Sequence, residues 1–193
     1  YWTMRSQDVY GSTIYPEPIC FHTEQVQEQL VENLDRHQVY HSIQHALDEA
    51  HNENVLVITP GPYARNECIN FMGKVVTLRS QDPNDADVVG ATVINGMGQR
   101  GPLVTFDHGE QTQSVLAGVT LAHGDEGIFC GRSSPTIEHC VIRNHTGAGV
   151  HLYNESRTSI EHCRILDNGG PGLELEAKKD RRRQVHNYPT VSN

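Results

Sequence analysis

The sequence predicts an all-β fold, a right-handed parallel β-helix (solenoid) with N-terminal capping helices. Two observations support this prediction. The segment Thr136–Ile142 recurs as Ser159–Ile165, 23 residues further along the chain. In addition, short β-branched runs such as Val55–Ile58 alternate with turns rich in glycine, proline, asparagine and aspartate. A repeat of about 20 to 50 residues is typical of a solenoid, in which each coil buries its inner face against its neighbours.

The repeat extends over three consecutive units. Downstream of the matched segments, the glycine positions also agree, so that Gly147 corresponds to Gly170. Upstream, Val115–Thr120 matches when Val115 is aligned with Ile137, an offset of 22 residues. Matches over such a span rarely arise by chance, and they predict stacked coils of 22 to 23 residues.

Apolar residues at helical spacing predict that residues 23–52 form a helical N-terminal cap. Two stretches have this spacing: Val26, Leu30, Val31 and Leu34, and, behind a capping Ser42, Ile43, Ala46, Leu47 and Ala50. The second helix would cover the open strand edge at the start of the solenoid. We expect residues 1–22 to be an extended lead-in, residues 53–176 to form the β-helix domain and residues 177–193 to be a flexible basic tail.

Because successive side chains of a β-strand point to opposite sides, the sequence predicts which residues of each coil point inward and which point outward. The residues expected to point inward are Ile137, Cys140 and Ile142, stacked on Ile160, Cys163 and Ile165. Those expected to point outward are His139, Val141 and Arg143, beside His162, Arg164 and Leu166. Five cysteines occur, with no Cys-x-x-Cys pair: Cys20, Cys68, Cys130, Cys140 and Cys163. We expect most of them to be reduced and buried, and we expect no metal site.

The overall charge and composition exclude some classes of partner. The formal net charge is −9, whereas binding of a nucleic-acid backbone requires a basic surface. No apolar run approaches the roughly 20 residues of a membrane-spanning helix, so we expect neither a nucleic-acid partner nor a membrane span. Only 6% of residues are aromatic, which weakens sugar stacking as a binding mode and leaves protein binding open.

Several segments together resemble a known family. They are residues 42–50, 55–57, 60–63, 69–80, 92–96 and 133–137. Their sequence is similar to that of right-handed parallel β-helix repeat proteins with the pectin-lyase-like fold, and the resemblance covers about residues 40 to 176. It implies the fold but no single activity. Members include polysaccharide lyases, glycoside hydrolases and sugar epimerases, and also non-catalytic modules such as the substrate-binding β-helices of F-box ubiquitin-ligase subunits.

One outer face is the candidate for ligand contact. Its polar residues are His139, Arg143, His162 and Arg164, together with Glu138 and Glu161. Parallel strands place equivalent residues about 4.8 Å apart, so a polar row can follow an extended chain such as a polysaccharide. The alternative is an ordinary solvated β-sheet face. Two stacked histidines without a third ligand in register do not predict a metal site.

Four carboxylates near turns are the candidates for catalysis: Asp125, Glu126, Asp167 and Glu174. Glycosidases need two carboxyl groups roughly 5 to 9.5 Å apart. The resemblance implies that lyases of this fold pair acidic calcium ligands with a basic residue, and the repeats hold no such cluster. The sequence therefore favours a non-catalytic binding or scaffold module for a glycan or a protein, without a cofactor. The alternative is a carbohydrate-active enzyme, a polysaccharide lyase or glycoside hydrolase, with calcium only for the lyase.

Overall fold

The computed structural model describes residues 6–7, 13–14, 30–64, 68–98, 100–177 and 190–192. Here the chain winds into three parallel sheets around one apolar core, as the repeat predicts. Face 1 consists of Val55–Ile58, Thr77–Ser80, Val115–Ala117, Thr136–Glu138, Ser159–Glu161 and Thr190–Ser192. Face 2 consists of Gly61–Ala64, Thr92–Asn95, Thr120–Ala122, Val141–Arg143 and Arg164–Leu166. Face 3 consists of Ile69–Asn70, Pro102–Phe106, Glu126–Gly131, Val150–Tyr153 and Leu173–Glu176.

Five successive coils each supply one strand to every face, and the last two coils have the predicted register. The fourth coil is residues 136–153 and the fifth is residues 159–176. Ile137 pairs with Ile160 on face 1, and Ile142 pairs with Ile165 on face 2. The prediction of a 23-residue offset between these coils is therefore confirmed.

The register of the third coil differs from the prediction by one residue. Val115 pairs with Thr136, and Leu116 pairs with Ile137, so the offset on face 1 is 21 residues and not 22. Leu116 is completely buried, whereas Val115 is half-buried. The inner position belongs to Leu116 because a shift of one residue along a strand exchanges its inner and outer sides.

Ladders of aliphatic side chains fill the interior. On face 1 the inner ladder consists of Leu56, Leu78, Leu116, Ile137 and Ile160, none of which is more than 1% exposed. Full burial of each such side chain contributes about 1.5 to 3 kcal/mol. Cys140 and Ile142 are buried as predicted, while Cys163 and Ile165 are half-buried because they belong to the last complete coil.

The N-terminal region contains one of the two predicted helices. Ile43–Glu49 is a helix, and the hydroxyl of Ser42 accepts a hydrogen bond from the His45 backbone N–H. Its buried side chains, Ile43, Ala46 and Leu47, belong to the core. The helix therefore covers the beginning of the solenoid.

The predicted first helix is wrong for residues 30–40. Val31–Asn33 and Gln38–Tyr40 form an antiparallel hairpin, and Val31–Asn33 also pairs antiparallel with Val55–Ile58 of face 1. The buried Asn33 carboxamide oxygen accepts hydrogen bonds from the Asp35 and Arg36 backbone N–H groups in the intervening turn. The pairing with face 1 outweighs helical propensity here, and it covers the edge of the first coil. Residues 23–29 lie outside the described residues.

Both ends of the chain include paired strands. Ser6–Gln7 and Thr13–Ile14 form an antiparallel pair within the predicted extended lead-in, of which the rest lies outside the described residues. Thr190–Ser192 pairs in parallel with Ser159–Glu161, so the prediction of a flexible tail is wrong for these three residues. Residues 178–189 and Asn193 lie outside the description. Among the residues that the structure does describe, no helix has the length and apolar character needed to cross a membrane.

A second helix, Ala86–Ala91, interrupts the second coil between faces 1 and 2, and the sequence did not predict it. The Asp85 carboxylate caps it by accepting hydrogen bonds from the Asp87 and Val88 backbone N–H groups. On face 2, the Thr120 hydroxyl donates to the Val89 carbonyl oxygen at 2.9 Å. This bond holds the helix against face 2.

Candidate ligand-binding grooves

The helix Ala86–Ala91 and the outer side of face 2 enclose a groove of about 430 Å³, which we call the basic groove. All four residues proposed from the sequence for ligand contact line it: His139, Arg143, His162 and Arg164. The opposite wall is formed by Pro83 and Asn84 and by the helix itself. The structure thus brings the predicted residues together on one surface.

The imidazole rings of His139 and His162 stack at one end of this surface. Their centroids are 4.8 Å apart and their planes differ by 30°. Each histidine occupies the turn between faces 1 and 2 with a left-handed backbone, at φ values of 53° and 52°. Gly118 holds the equivalent position in the third coil, where a Cβ atom would lie 2.5 Å from Cα of Pro83. A side chain fits this turn only where the segment containing Pro83 no longer covers it.

The two arginines give the groove its charge. Arg143 pairs with Leu166 and Arg164 pairs with Val141, so the guanidinium groups alternate with aliphatic side chains on neighbouring strands. Within the described part of the chain, neither arginine is in an ion pair, and no acidic residue lines the groove. A surface with two arginines and no acidic lining residue, on a protein of net charge −9, is suited to an anionic ligand.

A second groove, of about 580 Å³, lies on face 3 and is acidic and aromatic. Its outer row runs through Thr105, Phe129, His151 and Glu174, which pair in register from coil to coil. Phe129 meets His151 edge to face, with ring centroids 5.3 Å apart, and stacks with Tyr153 at 6.3 Å. We call this surface the acidic groove.

Two carboxylates flank His151 in the acidic groove. Nδ1 lies 3.6 Å from Oε1 of Glu126, and Nε2 lies 3.3 Å from Oε2 of Glu176. The contact with Glu176 lacks hydrogen-bond geometry, and Nε2 is shielded from solvent. The histidine side chain is only 14% exposed. The arrangement places a potential proton carrier between two acidic groups.

Of the four carboxylates proposed from the sequence, Asp125 and Glu126 both line the acidic groove. Glu126 and Glu174 both lie beside His151. Asp125 also braces a turn, because its two oxygens accept hydrogen bonds from the Gly101 N–H at 3.1 Å and the Thr146 hydroxyl at 2.9 Å. These bonds, first the one from Gly101, lower the pKa of Asp125. Asp167 lies at an exposed turn with φ of 55° and lines neither groove.

Sequence reasoning missed four residues of face 3: Phe129, His151, Tyr153 and Glu176. A signal for them was present, because Phe129, His151 and Glu174 follow one another at the repeat spacings of 22 and 23 residues.

Among the residues the structure covers, no group of three or more histidine, cysteine, aspartate or glutamate side chains could hold a metal ion.

Comparison with known proteins identifies the family of this chain but no individual relative. A family model described as "Right handed beta helix region" matches residues 87–193, which is more than half of the chain. No curated protein and no solved structure matches the chain. Together with the three-faced solenoid of parallel strands, this match shows that the chain belongs to the right-handed β-helix family.

Proposed function

We propose that the protein is a non-catalytic binding module whose basic groove holds an acidic glycan. The observation that carries this proposal is the convergence of Arg143 and Arg164, neither of them in an ion pair within the described residues, in a groove without a carboxylate. A guanidinium group binds a carboxylate or sulfate group through two parallel hydrogen bonds. Two such groups on neighbouring coils can bind successive charged sugars.

The shape of the groove favours an extended ligand. Equivalent residues on neighbouring parallel strands are about 4.8 Å apart, and the basic groove crosses the fourth and fifth coils. The stacked rings of His139 and His162 provide a flat polar edge beside the two arginines. An acidic segment of a partner protein would use the same charges, but the open, strand-spaced row is better matched to a regular polymer.

The test is calorimetric titration with polygalacturonate, with the neutral polymer dextran as the ligand control. We expect polygalacturonate to bind and dextran not to bind. The double variant Arg143→Ala/Arg164→Ala should weaken binding at least tenfold. Arg157→Ala is the matched control, because Arg157 is exposed and outside both grooves. Raising the salt concentration should weaken binding, since screening shortens the range of exposed charges.

Equal affinity of the double variant and the Arg157→Ala control would contradict the basic groove as the binding site. Binding of an acidic peptide without binding of any acidic polysaccharide would favour the protein-ligand alternative.

The acidic groove supports a second candidate function, hydrolysis of a polysaccharide. The supporting observation is that Glu126 and Glu176 flank His151 while Glu174 lies beside it. Pairs of carboxyl groups are the catalytic groups of most glycosidases. A polysaccharide array, scored for both binding and product release with and without calcium, separates the two functions. Product release that disappears in Glu126→Gln would favour the enzyme, and calcium dependence would favour a lyase.

A further inference from the structure

Cys140 and Cys163 occupy equivalent positions in the fourth and fifth coils. Glu138 pairs with Glu161 before them, and Val141 pairs with Arg164 after them, so the two cysteines are direct neighbours between coils. Both are free thiols in this structure. Neighbouring parallel strands are about 4.8 Å apart, which lies within the Cα separation of roughly 4.4 to 6.8 Å that a disulfide bond requires.

The side chain of Cys163 contacts the backbone of Cys140. The Cys140 backbone N–H donates to Sγ of Cys163 at 3.4 Å, so the sulfur of the fifth coil reaches the fourth coil. Sγ of Cys140 also lies 3.2 Å from the Glu138 carbonyl oxygen, and Sγ of Cys163 lies 3.3 Å from that of Glu161. The parallel set of contacts shows that both side chains leave the backbone in the same direction.

The two sulfurs differ in their readiness to react. Cys163 is half-buried, and its pKa is lowered, chiefly by the hydrogen bond from Cys140, so that its thiolate forms more readily. Burial raises the pKa of Cys140. Cys130 is fully buried on face 3, and burial raises its pKa to about 12. Since the thiolate is the nucleophile, Cys163 is the attacking residue among these three.

We propose that Cys140 and Cys163 form a reversible disulfide bond that joins the fourth and fifth coils in the presence of a small-molecule disulfide such as oxidised glutathione. The Cys163 thiolate attacks one glutathione sulfur, forms a mixed disulfide and releases one glutathione thiolate. Cys140 then loses its proton to that thiolate and attacks Sγ of Cys163, which releases the second glutathione. Two protein thiols are thus oxidised, and one molecule of oxidised glutathione is reduced to two thiols.

The bond would lie directly behind the basic groove. Cys140 lines the groove, and each cysteine follows one of the stacked histidines, His139 and His162. A covalent link would fix the spacing of the two coils that form the groove floor. It would also restrict the unfolded chain, and the oxidised protein should therefore melt several degrees higher than the reduced protein.

The test is incubation of the native protein with oxidised glutathione, followed by alkylation of the remaining thiols, trypsin digestion and mass spectrometry. Cleavage after Arg132, Arg143, Arg157 and Arg164 places the two cysteines in separate peptides, residues 133–143 and 158–164. We expect one species in which these peptides are joined, with the loss of two hydrogen atoms. Dithiothreitol should restore the free peptides and lower the melting temperature to its starting value.

Two matched variants complete the test. Cys130→Ser should leave the cross-linked peptide unchanged, whereas Cys163→Ser should abolish it and leave Cys140 alkylated only after unfolding. A stable glutathione adduct on Cys163 without the cross-link would overturn the proposal, as would a bond from either cysteine to Cys20 or Cys68. Because the peptide map is read on the wild-type chain, the test does not depend on the stability of any variant.

Discussion

Gly127 in the third coil lies directly against the carbonyl oxygen of Gly149 in the fourth coil. A Cβ atom added at Gly127 would lie 2.3 Å from that oxygen and 2.6 Å from Cγ2 of Ile142. The backbone N–H of Ile128 donates to the same Gly149 oxygen at 3.0 Å. The contact between coils at this corner therefore requires glycine, because the neighbouring atom is backbone that is fixed by a hydrogen bond.

We predict that Gly127→Ala destabilises the protein by about 1 to 3 kcal/mol, the usual cost of overfilling a packed interior. The added methyl group must push the third and fourth coils apart at face 3 or displace Ile142. Urea denaturation followed by circular dichroism measures the change in the free energy of unfolding. An unchanged midpoint would mean that the coils are not in the register described.

Gly90 is the matched case in which the same substitution should stabilise. It is exposed near the end of the helix Ala86–Ala91, its φ is not positive, and nothing lies within 4 Å of an added Cβ atom. We predict that Gly90→Ala raises the free energy of unfolding by about 0.5 to 1 kcal/mol, because alanine loses less backbone entropy in a helix. A loss of stability in the same urea titration would contradict the helix at this position.

The repeat made the fold predictable from sequence because the matched residues stack on one another in space. Ile137 and Ile160 are paired on face 1 and are buried to the same extent, and equal burial selects similar residue types. The sequence alignment puts the third coil one residue out of register, because Val115 and Leu116 are both apolar and either could be the inner residue. Only packing against Leu78 and Ile137 identifies Leu116 as the inner residue.

The basic groove was only half predictable. The alternation of inward and outward residues within a coil predicts that His139 and Arg143 point outward, but the wall that turns this surface into a groove is a six-residue helix. So short a helix shows no clear period in sequence, and it is held by tertiary contacts such as the bond from Thr120 to Val89. The hairpin at residues 30–40 was missed for a similar reason, since its strand pairing with Val55–Ile58 is not local.

Cys140→Asp tests the assignment of the inner face. Cys140 is 1% exposed, and its neighbours Leu116, Ile137 and Ile142 all belong to the core. We predict a loss of at least about 3 kcal/mol in the free energy of unfolding, since a carboxylate at this position would be buried among apolar side chains. Cys140→Ala is the control, because it removes only the sulfur and should cost about 1 kcal/mol. Similar stability of the two variants would show that position 140 reaches solvent.

Stability should also depend on pH through His145, a buried histidine that is 2% exposed. Nδ1 accepts a hydrogen bond from the Gly124 backbone N–H at 3.2 Å, and Nε2 lies 3.2 Å from the Leu121 carbonyl oxygen. The neutral ring with its proton on Nε2 satisfies both contacts, whereas a second proton on Nδ1 would face the Gly124 N–H. Burial, the largest cause, lowers the pKa of His145 below that of an exposed histidine.

We therefore predict that the free energy of unfolding decreases as the pH falls through about 6.5, the pH at which an unfolded histidine is half protonated. Over that interval the unfolded chain binds a proton that the folded chain excludes, so stability is greater at higher pH and becomes constant again below the folded pKa. Thermal melts of wild type and His145→Gln between pH 8 and pH 5 measure the effect. The variant should be less stable at pH 8 but should lose less stability on acidification. Parallel curves for the two proteins would place the acid-sensitive group elsewhere.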